Sequence, residues 1–211
     1  MLVTRIVKIR RQRNRYEISV DGETSFQVSE TLLVKSGLHN GMSIEESTIS
    51  DIVLADARER AHQVAVNFIS YRPRSSREVN EKLTRKGFAP EIAAAVVDRL
   101  RELMLLNDLE FARMFVRDKL KGKPMGRALL RRKLLEKGLS FQAAERVIKE
   151  YVTDENEQEA ATAVATRKLK ASHSRFSKLE TKVRQKRIAD YLLNRGFSSE
   201  VAYRTAKNII R

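Results

Sequence analysis

The side chains of this 211-residue sequence best equipped for chemistry are cations. Residues 113–133 hold nine Lys and Arg against Asp118 alone, and residues 167–187 hold nine against Glu180 alone. A shorter set, Arg72, Arg74, Arg77, Lys82, Arg85 and Lys86, precedes them. Guanidinium and ammonium groups at this density bind phosphates and carboxylates, and a polyanion releases condensed counterions when it meets them. The formal charge is +15 and the pI about 10.3, so nucleic acid leads the partner classes. The excess is uneven: residues 1–50 hold 7 Lys and Arg against 6 Asp and Glu, leaving 35 against 21 for the rest.

Catalytic constellations are not evident. His39, His62 and His173 lie far apart, and without cysteine no thiolate zinc site or disulfide forms. "GKPMGR" (122–127) lacks the Lys and Ser/Thr that a phosphate loop places directly after its second glycine, because Arg127 and Ala128 follow. Asp154, Glu155, Glu157 and Glu159 beside Thr153 read as a helix start whose negative charge suits the helix dipole. The sequence therefore predicts no enzyme, cofactor or metal. With no secretory leader or apolar run of spanning length, the expected setting is cytoplasmic and off the membrane.

Two kinds of element must position these cations. Up to about residue 47, Ile6, Lys8 and Arg10 alternate with apolar Val7 and Ile9, and Tyr16, Ile18 and Val20 recur at period two. Asp21-Gly22 supplies a hairpin turn before the returning strand "ETSFQVSE", and "KSGLHNGMS" reads as a loop. From Thr48 the period becomes helical, with Ile49, Ile52, Val53, Ala57, Ala61, Val64, Ala65, Phe68 and Ile69 on one face. Pro73 ends that helix, and Ser75 with Glu78 is a capping box that opens the next. Asn107 or Asp108 caps a later helix in "LNDLEFARMFV".

The helical part repeats. Aligned on Gly87, Gly138 and Gly196, each copy has a leucine four residues earlier (Leu83, Leu134, Leu192) and an apolar residue eight earlier (Val79, Leu130, Ile188). The residue just before each glycine is basic (Lys86, Lys137, Arg195). One residue after comes Phe88, Leu139 or Phe197, and six after comes Ala93, Ala144 or Ala202. The glycines suit left-handed helix C-caps. The architecture expected is mainly α: three tandem three-helix repeats forming an elongated curved body, preceded by a small antiparallel β arm. The divisions are 1–47 for the arm and 48–104, 105–152 and 153–211 for the repeats. The third departs, with Lys182 where the others have Pro73 and Pro124 and with the insertion "ASHSRFS".

Each basic stretch falls at the turn between the first and second helix of a repeat, and stacking would align the turns into a stripe. The candidate partner- or DNA-binding residues are Arg72, Arg74, Arg77 and Lys82; Lys119, Lys121, Lys123, Arg127, Arg131 and Arg132; and Lys182, Arg184, Lys186 and Arg187. Tyr71 and Phe176 are the aromatic residues near these turns, so phosphate contact outweighs base stacking. Charge reversal at Arg127, Arg131 and Arg132 together is expected to weaken binding while leaving helicity intact.

"ISYRPRSSREVNEKLTRKGF", "LNDLEFARMFVRDKLKGKPMGRALLRRKLLEKGLS" and "YLLNRGFSSEVAYRTAKNII" resemble the RecX regulatory proteins of bacteria. The resemblance covers residues from about 60 to 211. It implies a non-enzymatic partner of the RecA recombinase, as monomer and as filament; the chain itself is expected to be monomeric. Its members modulate strand exchange, ATP hydrolysis and co-protease function, and so recombination, DNA repair and the SOS response. Single- and double-stranded DNA are further partners, bound without sequence preference. The arm departs from shorter members, which begin near the first helix. The rival reading is a sequence-specific helix-turn-helix transcription regulator, with the Arg-rich helix after Gly126 as recognition helix; a repeat scaffold for some other protein is the plainest alternative.

Overall fold

The structure is a computed structural model that describes residues 1–10, 12, 14–176 and 179–210. Its chain forms two compact units: Met1–Pro73 with Val79–Leu105, and Arg74–Glu78 with Leu106–Arg211.

In the first unit, β1 (Val3–Lys8), β2 (Arg15–Val20) and β3 (Thr24–Ser29) make an antiparallel sheet in that order. Asp21 and Gly22 both take positive φ, 52° and 82°, which turns the chain between β2 and β3. Ile18, Val20 and Val28 point into the core as their period requires. In β1 the parity resets: an irregularity between Val3 and Arg5 lets Val3 and Ile6 share the core while Val7 faces out. "ETLLVKS", of which Glu30 was expected in the returning strand and Lys35 and Ser36 in the loop, is helix α1 (Glu30–Ser36), with Ser29 at its N-cap and Gly37 at φ 66°. Strong local caps at both ends outweigh the β pattern there.

Helix α2 (Glu46–Ser70) buries Ile52, Ala61 and Ala65 as expected, but Val53 is exposed and Asp56 is buried. Asp56 accepts from Arg15 Nη1 at 2.7 Å, the Ser29 amide at 2.9 Å and Arg60 Nε at 2.9 Å. This ties the sheet to α2, so the arm shares a core with the first helix instead of standing apart. Helices α3 (Ser76–Arg85) and α4 (Pro90–Glu102) complete the first repeat, and α4 packs on α2.

The second unit holds α5 (Asp108–Lys121), α6 (Arg127–Glu136) and α7 (Phe141–Tyr151). It continues through α8 (Asp154–Ala171), the short α9 (His173–Phe176), α10 (Thr181–Asn194) and α11 (Ser199–Ile209). The glycine register has a physical origin. Gly87, Gly138 and Gly196 have φ of 85°, 91° and 83°, and the amides of Phe88, Leu139 and Phe197 donate back to the carbonyls of Leu83, Leu134 and Leu192. Each is a Schellman cap, which explains why a leucine four before and an apolar residue one after recur together. All three leucines are fully buried, each worth roughly 2 kcal/mol of apolar transfer.

Candidate polyanion-binding interface

Each second helix of a repeat opens at a basic turn, and its neighbours decide which cations are available. The capping box of α3 forms reciprocally, Ser75 N to Glu78 Oε2 and Glu78 N to Ser75 Oγ, both at 3.2 Å. Asn107 caps α5 by accepting from Leu109 N and Glu110 N. Asp108 reaches the first repeat instead, accepting from Ser76 N at 2.7 Å. Glu157, at the start of α8, likewise accepts from Arg127 N at 3.2 Å. In both cases an acid at the start of one repeat's first helix satisfies an amide that opens the previous repeat's second helix. Neither role was visible beforehand, because the two acids stand at different places, Asp108 as the first residue of α5 and Glu157 as the fourth of α8.

Arg127 is held three ways: Nη2 donates to Val152 O and Asp154 Oδ1, each at 2.8 Å, and Nε lies 3.2 Å from Glu157 Oε2. Arg131 pairs with Glu145, and Arg132 lies 3.7 Å from Glu136. Arg113, outside the candidate set, is bound by Glu110 and Glu150, whose hydrogen bonds raise its pKa. The cleft beside α6, about 450 Å³, is lined by Arg127, Arg131 and Arg204 but also by Asp154, Glu157 and Glu200. Its charges cancel. Reversing Arg127 and Arg131 would thus turn attractions into repulsions inside the fold, and that variant reports on packing as well as binding.

Other candidates present their charge outward. Lys121 and Lys123 are exposed at the α5–α6 turn, and Lys119 lies over the Phe115 ring at 5.1 Å. Lys182, Lys186 and Arg187 are exposed on α10, whereas Arg184 is half-buried. In the first repeat Arg72 is exposed and donates to its neighbour Pro73 O, and Lys82 lies 5.4 Å from the Phe68 ring. Arg74 and Arg77 belong to the second compact unit, Arg72 and Lys82 to the first. Lys178, counted in the last basic window, lies outside the described residues.

The opening of α6 cannot act as a recognition helix in this arrangement. Gly126 N donates to Arg195 O at 3.0 Å, Ala128 N to Gly196 O at 3.1 Å, and Arg195 Nη2 to Pro124 O at 2.9 Å. The third repeat covers the turn that a helix-turn-helix protein presents to base edges. Among the described residues no group of three His, Asp or Glu is placed to hold a metal, and no helix is long and apolar enough to cross a membrane.

Three family profiles match in chain order: "RecX, first three-helix domain" over residues 61–100, the second over 107–148 and the third over 154–205. Regulatory protein RecX of Listeria welshimeri is 33% identical over 202 residues, 96% of this chain and 73% of the relative. That of Leuconostoc citreum is 30% identical over 196 residues, 93% and 72% of the two chains. A crystal structure of regulatory protein RecX superposes with a TM-score of 0.73 at 25% identity, covering 98% of each chain. RecX from Lactobacillus salivarius gives 0.63 at 25% identity, over 74% of this chain and 97% of that one. The similarity to the Listeria welshimeri relative and to the first of these structures runs beyond residues 60–211 into the β arm. With its glycine-registered repeats and family matches spanning most of its length, the chain belongs to the RecX family of regulatory proteins.

Proposed function

We propose that the protein binds the RecA recombinase, as monomer and as filament on DNA, and restrains strand exchange, ATP hydrolysis and co-protease function without catalysis of its own. The observation that carries this reading is the recurrence of a basic turn at the same place in each repeat of a family of regulators. In this mechanism the turns face acidic protein surface and bound DNA, and one molecule bridging successive protomers opposes the motions of nucleotide turnover. It acts in the cytoplasm as a monomer whose repeats divide at 48–104, 105–152 and 153–211.

The exposed cations contribute most to such binding: Arg72 in the first repeat, Lys121, Lys123 and Arg132 in the second, and Lys182, Lys186 and Arg187 in the third. Arg127 and Arg131 contribute by fixing the repeat that presents them. The test is co-sedimentation with RecA filaments on single-stranded DNA at physiological salt. Stoichiometric pelleting is expected, and Lys119→Glu/Lys121→Glu/Lys123→Glu should weaken it at least tenfold. Absence of the wild-type protein from the pellet would overturn the proposal.

A further inference from the structure

The chain neutralises the opening turn of its second helices in two repeats and leaves the third without that partner. Asp108 meets Ser76 N and Glu157 meets Arg127 N. The equivalent helix, α10, starts four residues earlier in the glycine register, so Thr181–Arg184 is its opening turn. No acid stands in that turn, and Glu180 at the N-cap makes no side-chain cap bond. Lys182, Arg184, Lys186 and Arg187 occupy the first two turns, and among the described residues none of the four has a carboxylate within ion-pair distance. Arg184 Nε is shielded from solvent without a partner.

This arrangement is unfavourable for the helix on its own. Cations at a helix N-terminus oppose the macrodipole, and Lys182 and Lys186 repel each other at i,i+4. In α6 the comparable cost is offset by Asp154, Glu157, Glu145 and Glu136. In α10 an external anion would supply the missing charge, and a local conflict of this kind is expected where binding is the use. Lys182 and Lys186 are separated by about 6 Å of helical rise. Val183 is the one large apolar side chain exposed on the described part of α10, too little for the apolar core of a protein interface. Lys168 of α8 lies 5.2 Å from the centre of the Tyr191 ring, the one aromatic side chain of α10. The C-terminal part of α8 adds the exposed Arg167 and Lys170.

We infer that the N-terminal half of α10 is a nucleic-acid backbone site, on which Lys182, Arg184, Lys186 and Arg187 contact phosphates without reading sequence. It deepens the proposed function and rests on it only for its setting, since DNA binding is measured without the recombinase. The experiment is fluorescence anisotropy of a labelled single-stranded thymidine oligonucleotide across a salt series. Lys182→Ala/Lys186→Ala/Arg187→Ala is compared with Arg5→Ala/Lys35→Ala/Lys149→Ala, which removes equal charge elsewhere. All six positions are exposed. Each phosphate contact on a single strand contributes about 0.7 to the log–log slope, so the α10 variant should lose about 2 and the control less than about 0.5.

Equal losses in both variants, or an unchanged slope in the α10 variant, would overturn the site. So would normal DNA binding with loss of filament binding, which would make the partner a protein. Should alanine impair folding, Lys182→Gln/Lys186→Gln/Arg187→Gln with an unchanged melting temperature gives the same reading. If the wild-type protein binds DNA through α10 yet leaves RecA unaffected, this inference stands and the proposed function falls.

Discussion

Gly126→Ala isolates the contact that stacks the second repeat on the third. Gly126 has φ −73° and ψ 167°, ordinary for any residue, so backbone strain contributes nothing. A Cβ built there lies 2.1 Å from Gly196 O and 2.2 Å from both Gly196 C and Phe197 N. These are backbone atoms, and no rotamer change relieves the overlap. The α6 start must withdraw by more than an ångström, which weakens Gly126 N to Arg195 O and Ala128 N to Gly196 O. Two such bonds are worth about 1 kcal/mol each, and forced overpacking adds about 1–3 kcal/mol. Reduced freedom of the unfolded chain returns about 0.5 kcal/mol. The net destabilisation is roughly 3 kcal/mol. Gly87→Ala is the comparison: its Cβ meets nothing within 4 Å, but φ is +85°, so it costs about 1 kcal/mol of left-handed strain. Urea unfolding followed by circular dichroism distinguishes them. An unfolding free energy of Gly126→Ala within about 1 kcal/mol of wild type would refute the close contact.

Three further outcomes are expected. Asp56→Ala strands the nearly buried Arg15 guanidinium and should destabilise the first unit by about 3 kcal/mol in thermal unfolding, with Asp56→Asn costing less; equal stability of Asp56→Ala and wild type would remove Asp56 as the tie between sheet and helix. Glu157→Ala leaves the Arg127 amide and side chain short of an acceptor and should cost about 1–2 kcal/mol, whereas loss of exposed Glu155 should cost less than about 0.5 kcal/mol. Lys182→Glu should raise stability by about 0.3–1 kcal/mol by matching the helix dipole while lowering DNA affinity, and a fall in both would assign Lys182 to the fold.

The repeats were legible because one cap geometry imposes a leucine, a glycine and an apolar residue at fixed offsets, and side chains in sequence report that geometry directly. Gly138 and Gly196 also had a second purpose. Cβ atoms on them would overlap Arg77 Cβ and the Leu129 backbone, a constraint set by a segment distant in sequence. Asp56 was hidden for a related reason: an acid on a helical face reads as solvated until Arg15 and Ser29 arrive from the sheet. Helix α1 was missed because Ser29 was read as part of a returning strand, when its hydroxyl accepts from Leu32 N and starts a helix. For the candidate site, composition identified where the cations are. Which of them are neutralised depended on Glu145, Asp154 and Glu157, acids far from their partners in sequence.

The central claim is tested most directly by single-strand-dependent ATP hydrolysis by RecA, titrated with this protein beside a DNA-only binding control at the same salt. A fall in rate is expected, either well below one molecule per recombinase protomer through blocking of the filament or near saturation through coating of its groove. An unchanged rate under conditions where the protein still binds the DNA would contradict it.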